Sequence, residues 1–214
     1  MNIEVSKKPN SKKFQLIIAT KNIHKIREYK SILNELLPNI DLLSLFDFPK
    51  YKPPIESGST FEENAKLKAL DAATNLDAWV IADDSGIIVP ALNNEPGIYS
   101  ARYAGNQATD ADNRKKLLSK MESFSEKNRF AYFKCCIALA HSKELKKCVC
   151  ATCEGKIETE ERGGEGFGYD PIFTKHDYNK TFAELNGSLK NKISHRRKAI
   201  DRLLPTLQMI ISKS

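Results

Sequence analysis

The segment from Phe14 to Thr20, FQLIIAT, is a short apolar run, and the residues after it change period at once. In NIHKIREYKSILNELL, residues Ile23, Ile26, Tyr29, Ile32, Leu33 and Leu36 recur at helical spacing, and Pro38 stops the run. A strand that passes through a tight turn into an amphipathic helix opens an α/β unit. The sheet so begun needs helices to cover it.

The rest of the chain continues in that manner. DLLSLFDF reads as a second strand and PKYKPPIESGS as a loop. TFEENAKLKALDAATNL reads as a helix with Ser59 or Thr60 as its cap and Glu62 or Glu63 three residues on. AWVIA and GIIVPAL read as two strands that flank the segment Asp83 to Ser85. TDADNRKKLLSKMESF is a helix capped by Thr109 or Asp110. RFAYFKCCIALAHS and KKCVCATCEGKIET read as a hairpin of long strands. RGGEGFGYDPIF is a glycine-rich loop leading into a strand, TFAEL a helical turn, and SHRRKAIDRLLPTLQMIISK a closing helix that contains Pro205. No repeat, low-complexity tract or internal linker is visible. At 214 residues the expectation is one domain over residues 13–214, with two lobes, behind a polar, lysine-rich extension at residues 1–12.

A hydrophobic fraction of 41% and a charged fraction of 29% suit a soluble globular protein. The residues from Met1 to Lys13 are too polar for a secretory signal, and no run of about 18 apolar residues offers a membrane span, so a cytoplasmic location is expected. Five cysteines, Cys135, Cys136, Cys148, Cys150 and Cys153, fall in one region. Cys150 and Cys153 form a CxxC without a second pair at zinc-finger spacing, so the cysteines read as small hydrophobes on strands. The formal charge of +7 admits an anionic partner. No dense basic block is present and the aromatics do not interleave with a basic stripe, which makes a nucleic-acid-binding protein the weaker reading.

Five places carry chemistry. TKNIHK joins the first strand to the first helix, where free backbone N–H groups favour an anion. Thr20 and Asn22 add polar groups, and Lys25 a positive charge one turn in. Lys66 and Lys68 are two apart, so at most one faces a site. Lys68 shares the side of Ala65, Ala69 and Ala72. Asp83 and Asp84 are adjacent and point to opposite faces if extended. With Glu56 in the loop before the helix, they offer oxygen ligands suited to Mg²⁺; the alternative is an Asx-type turn. Phe167 and Tyr169 offer aromatic faces for a base, and Lys190, His195 and Arg196 offer nitrogen donors at a helix start.

The ordered set TKNIHK, ESGSTFEENAKLKA, IADDSG, PGIYSARYAG, GGEGFGYDPIF and ISHRRKA resembles the inosine triphosphate pyrophosphatase family from about Phe14 to the closing helix. The resemblance implies an α/β fold, an elongated mixed sheet flanked by helices with two lobes around a central nucleotide cleft. It implies Mg²⁺-dependent hydrolysis of ITP, dITP and XTP to the monophosphate and pyrophosphate, and a homodimer. By motif, Asp84 matches the catalytic aspartate and metal ligand, Glu56 its metal partner and Asp83 a support. Thr20, Lys21, Asn22, Ile23, His24, Lys25 and Lys68 fall in the triphosphate-binding segments and Ser85 would touch the nucleotide. Phe167, Gly168, Tyr169 and Asp170 would line base and sugar, and Lys190, His195 and Arg196 would read the base. Lys21 stands where the family commonly has glycine and would be strained at positive φ. Arg197 follows SHR without a family role. A Maf-like pyrophosphatase of modified pyrimidine nucleotides shares the chemistry but should lack the FGYDPIF and SHR segments.

Overall fold

The computed structural model describes residues 13–213; the extension expected at residues 1–12 lies outside them. Strand β1 (Phe14–Ile18), helix α1 (Ile23–Leu36) and strand β2 (Ile40–Ser44) form the expected opening unit, with β1 and β2 parallel. Asn22 starts α1: its side-chain oxygen accepts hydrogen bonds from the backbone N–H groups of His24 and Lys25. Among the described residues, those other than glycine with positive φ are Asp77, Asn93, Asn94, Ser142 and Asp177. Lys21 is not one of them, so it carries no such strain.

Helix α2 (Phe61–Leu76) begins at Thr60, whose hydroxyl accepts from the Glu63 N–H, while the Glu63 carboxylate accepts from the backbone N–H and hydroxyl of Ser59. Both expected cap residues thus take part. Ala65, Ala69, Ala72 and Ala73 are fully buried, which lets α2 lie close on the sheet.

The central strand joins what read as two separate strands. Strand β3 (Trp79–Val89) runs unbroken through Asp83, Asp84 and Ser85. Its other neighbours are β4 (Glu95–Pro96) and β5 (Phe130–His141), and β5 pairs with it continuously from Trp79 opposite His141 to Ile88 opposite Tyr132. Pairing with β5 keeps the chain extended across the acidic pair, and the Asp84 Oδ1 also accepts from the Ser85 N–H at 3.1 Å. After helix α3 (Asp110–Lys120) and β5 come β6 (Glu144–Ile157), β7 (Phe173–Lys175), α4 (Gly187–Ile193) and α5 (His195–Ile211). The mixed sheet has the order β2-β1-β3-β5-β6-β7 with β4 on β3; the β1 pairings are parallel and the others antiparallel.

Alternation along β3 divides the core. Ile81 packs with Leu16, Ile18, Ile137 and Leu139 under α1 and α5, while Val80 and Ala82 pack with Ile17 and Ala138 under α2. A third cluster, with Ile87, Phe133, Phe173 and Phe182, fills the far end. The cysteines do more than pack: the β5–β6 register sets Cys136 opposite Cys150, and the two form a disulfide. Cys150 and Cys153 belong to different clusters, since residues three apart on a strand face opposite ways.

Gly86 lets β3 pass under the segment that follows β4. A Cβ there would lie 2.3 Å from Ser100 Oγ and 2.8 Å from the Gly97 carbonyl oxygen. Ser100 Oγ accepts from the Ile87 N–H and donates to the Gly97 carbonyl, so it cannot retreat without loss. Gly86→Ala is expected to destabilise the fold by about 1–3 kcal/mol, measured as a lower urea midpoint at unchanged slope.

Candidate active site

A cleft of about 360 Å³ opens where the C-terminal end of β1, the middle of β3 and the glycine-rich loop meet, a volume within the usual range for a small-molecule site. One end is lined by Thr20, Lys21, Asn22, Lys25, Glu56, Lys68, Asp84 and Ser85. The other is lined by Phe167, Gly168, Tyr169, Asp170, Lys190, His195 and Arg196. Ile23, His24 and Asp83 do not line it. Ile23 is exposed, His24 stacks on the Phe167 ring at 5.1 Å, and Asp83 lies beneath the floor.

At the first end, Lys68 Nζ donates to Glu56 Oε1 at 2.6 Å and stands 3.7 Å from Asp84 Oδ1. Two carboxylates therefore converge on one cation. Lys66 instead pairs with Glu62 on the surface. Asn64 holds the arrangement: its Nδ2 donates to Asp84 Oδ2 and its Oδ1 accepts from the Gly58 N–H in the Glu56 loop. Burial pushes the Asp84 carboxyl above the ordinary aspartate value, with Glu56 adding to the rise and Lys68, Lys25 and the Asn64 hydrogen bond opposing it. Among the described residues no three His, Cys, Asp or Glu side chains gather as a ready-made metal cage.

Asp83 is in the reverse condition. It is buried on the opposite face of β3, where its Oδ2 accepts from Lys25 Nζ at 2.9 Å, Ser85 Oγ at 3.1 Å and Arg196 Nη2 at 3.3 Å. Burial alone would raise its pKa, but Lys25, Arg196 and Lys68 outweigh that and hold it well below the ordinary value. Arg196 also donates to Glu28 and Ser85, and Lys190 bridges Glu28 and Asp170. Three cations, Lys25, Lys190 and Arg196, thus interlock with three carboxylates, Glu28, Asp83 and Asp170. Each charge is paired, the condition for keeping it under the site.

At the other end, Gly166 and Gly168 take positive φ, and a Cβ on Gly166 would strike Asp170 Oδ2. That oxygen accepts from the Phe167 N–H at 2.8 Å, which closes the turn and stands the Phe167 ring at the cleft wall. The Tyr169 hydroxyl donates to the Ser100 carbonyl, so its ring packs inward. His195 stacks on Phe133 at 4.7 Å. Burial, reinforced by Arg196 and Lys190, pushes its pKa far down and keeps the ring neutral, and its Nδ1 has no protein partner.

The Ham1 family model matches residues 16–206. The chain belongs to the Ham1 family. It is 51% identical over 195 residues to a protein of Protochlamydia amoebophila (strain UWE25) named dITP/XTP pyrophosphatase, covering 91% of this chain and 98% of that protein. Its fold matches a HAM1 protein from Coxiella burnetii with a TM-score of 0.81 at 38% identity, covering 92% of this chain and 99% of that one. It matches the Staphylococcus aureus Ham1 protein with a TM-score of 0.79 at 42% identity, covering 91% and 98%.

Two residues of this Ham1 chain escaped the sequence reading although a signal was present. Glu28 lies three residues after Lys25 and four before Ile32, on the buried face of α1, and Asn64 lies four before Lys68 on α2. Arg197, which had no role, pairs with Asp201 at 2.9 Å and Glu35 at 3.2 Å and so ties α5 to α1.

The two aspartates yield opposite predictions. The folded pKa of Asp83 is depressed, so its stabilisation is present above the ordinary value of 3.8 and is lost as pH falls through the depressed one. Asp83→Ala leaves Lys25 and Arg196 buried without this partner and is expected to cost about 3–5 kcal/mol at pH 7, with a smaller deficit at pH 3, read by chemical denaturation. The folded pKa of Asp84 is raised, so its ionisation opposes folding once pH rises above 3.8. Asp84→Asn is expected to keep or raise the Tm at pH 7 while turnover falls about a hundredfold or more, by calorimetry and product release.

Proposed function

We propose that the protein hydrolyses non-standard purine nucleoside triphosphates, ITP, dITP and XTP, to the monophosphate and pyrophosphate, and so clears them from the nucleotide pool. The observation that carries this reading is the cleft: Lys25, Lys68, Glu56 and Asp84 at one end, an aromatic wall and His195 at the other. The relatives named dITP/XTP pyrophosphatase support dITP and XTP among these substrates. Membership of the Ham1 family sets aside the pyrimidine-directed alternative.

Attack on the α-phosphorus needs charge neutralisation and a placed water more than covalent chemistry. Lys25 and Lys68 supply positive charge along the phosphates. Asp84, whose affinity for a proton is raised by burial, accepts the proton of the attacking water. A new bond forms from water oxygen to the α-phosphorus as the bond to the bridging oxygen breaks, and pyrophosphate leaves.

The donor set fits a hard divalent cation. Glu56 and Asp84 already share the Lys68 ammonium, and Mg²⁺ takes one or two carboxylates with phosphate and water oxygens. Glu56 and Asp84 would hold Mg²⁺, which would neutralise charge developing on the phosphates. Asp83 serves from beneath by fixing Lys25.

For base selection, hypoxanthine and xanthine present the O6 acceptor where adenine presents an amino group. The two terminal nitrogens of Arg196 are committed to Glu28, Asp83 and Ser85, and Lys190 to Glu28 and Asp170. His195 keeps free hydrogen-bonding capacity, so on this reading it donates to O6 while Arg196 and Lys190 brace it. Thr20, Lys21 and Asn22 line the triphosphate end. The reading extends to one two-lobed domain over residues 13–214, a homodimer and a cytoplasmic location, all supported by the family resemblance. Among the described residues no helix is long and apolar enough to cross a membrane.

Pyrophosphate release from ITP, dITP, XTP, GTP and ATP, with and without Mg²⁺, tests the reading. Release is expected from the first three in Mg²⁺, and ATP is expected to be at least a hundredfold poorer in kcat/KM. Equal rates on ITP and ATP would remove the base-readout argument, and full activity in chelator would remove the metal.

A further inference from the structure

The loop that carries Phe167 is gripped from a direction the proposed reaction does not require. Gly168 sits at φ +60° in the left-handed region, and both peptide groups beside it are tied to α3. Its N–H donates to Asp110 Oδ2 at 2.7 Å, and its carbonyl accepts from Arg114 Nη1 at 2.9 Å. Asp110 and Arg114 are four apart, one turn of helix, so their side chains reach the same point. Thr109 caps α3 with Asp112 as its reciprocal partner, which leaves the Asp110 carboxylate free to reach across. Arg114 is anchored in turn by Glu161, 3.0 Å from its Nε on the strand-to-loop connection.

We propose that Asp110 and Arg114 are positioning residues for base recognition: together they clasp the Gly168 peptides and fix the turn that presents the Phe167 ring to the cleft. Glycine populates negative φ about as readily as positive φ, so the φ of Gly168 is not self-enforcing. Donor and acceptor on one helix turn supply the constraint. On the cleft's far side the ring is backed by His24 at 5.1 Å, so rotation of the Gly168 peptides would carry Phe167 off that support. The proposal rests on the functional reading above for the ligand, but not for the clasp itself.

The test pairs steady-state kinetics on dITP with hydrogen exchange of the peptide spanning residues 163–170. In Arg114→Ala, KM for dITP is expected to rise about tenfold with kcat within about twofold, and exchange in the loop to quicken about tenfold or more. Arg114→Lys, which keeps one donor, is expected to recover most of both. Should Arg114→Ala fail to fold, Asp110→Ala carries the same expectations, with Asp110→Asn as the rescue because an amide oxygen still accepts from Gly168. Unchanged KM, a fall in kcat alone, or unchanged loop exchange would overturn the proposal. A wild-type enzyme inactive on dITP, ITP and XTP would remove the functional reading instead, and the exchange experiment would still decide whether the clasp exists.

Discussion

Burial of Asp83 beside Lys25 and Arg196 is the interaction on which the rest of the molecule depends. A carboxylate under a sheet is costly unless it is paired and hydrogen-bonded. Here its partners come from α1 and α5, so meeting its demand joins the first helix, the central strand and the last helix. Glu28 extends the join through Lys190 to Asp170 and hence to the glycine-rich loop. The cleft floor is therefore set by charge balance as much as by apolar packing. Lys25 is held at the mouth of the site by a group that never reaches it.

The same strand solves an electrostatic problem by geometry. Adjacent carboxylates in a turn would face the same solvent and repel. On an extended strand they are separated by the sheet, and each receives its own surroundings: direct bonds from Lys25 and Arg196 for Asp83, and for Asp84 the Asn64 amide with Lys68 farther off and Glu56 beyond it. The result is two aspartates with pKa values displaced in opposite directions. That divergence separates a structural carboxylate from one able to take a proton.

Much of this was legible in the sequence where local rules dominate. The FQLIIAT to NIHK junction, the caps at Thr60 and Thr109 and the β5–β6 hairpin follow from periodicity and capping chemistry. The choice of Lys68 over Lys66 follows from helical spacing. What was not legible depends on pairing across the chain. The two strands read on either side of Asp83 to Ser85 are one, because β5 runs alongside and pairs with the chain straight through that segment. Glu28 drew no reading as a site residue because its partners lie more than 160 residues away. The Cys136–Cys150 link likewise depends on a register that spacing alone does not fix.

The period of two along β3 has an evolutionary consequence. Inserting or deleting one residue upstream within the strand would exchange the faces of the two aspartates. An insertion would set Asp83 in the place of Asp84 and leave Lys25 and Arg196 without a carboxylate, a deletion would set Asp84 in the place of Asp83 and take the carboxylate from the cleft, and either would misplace the apolar residues. Surface loops of this protein can drift in length, but the distance from Trp79 to Asp84 is held by two independent penalties, one of packing and one of charge.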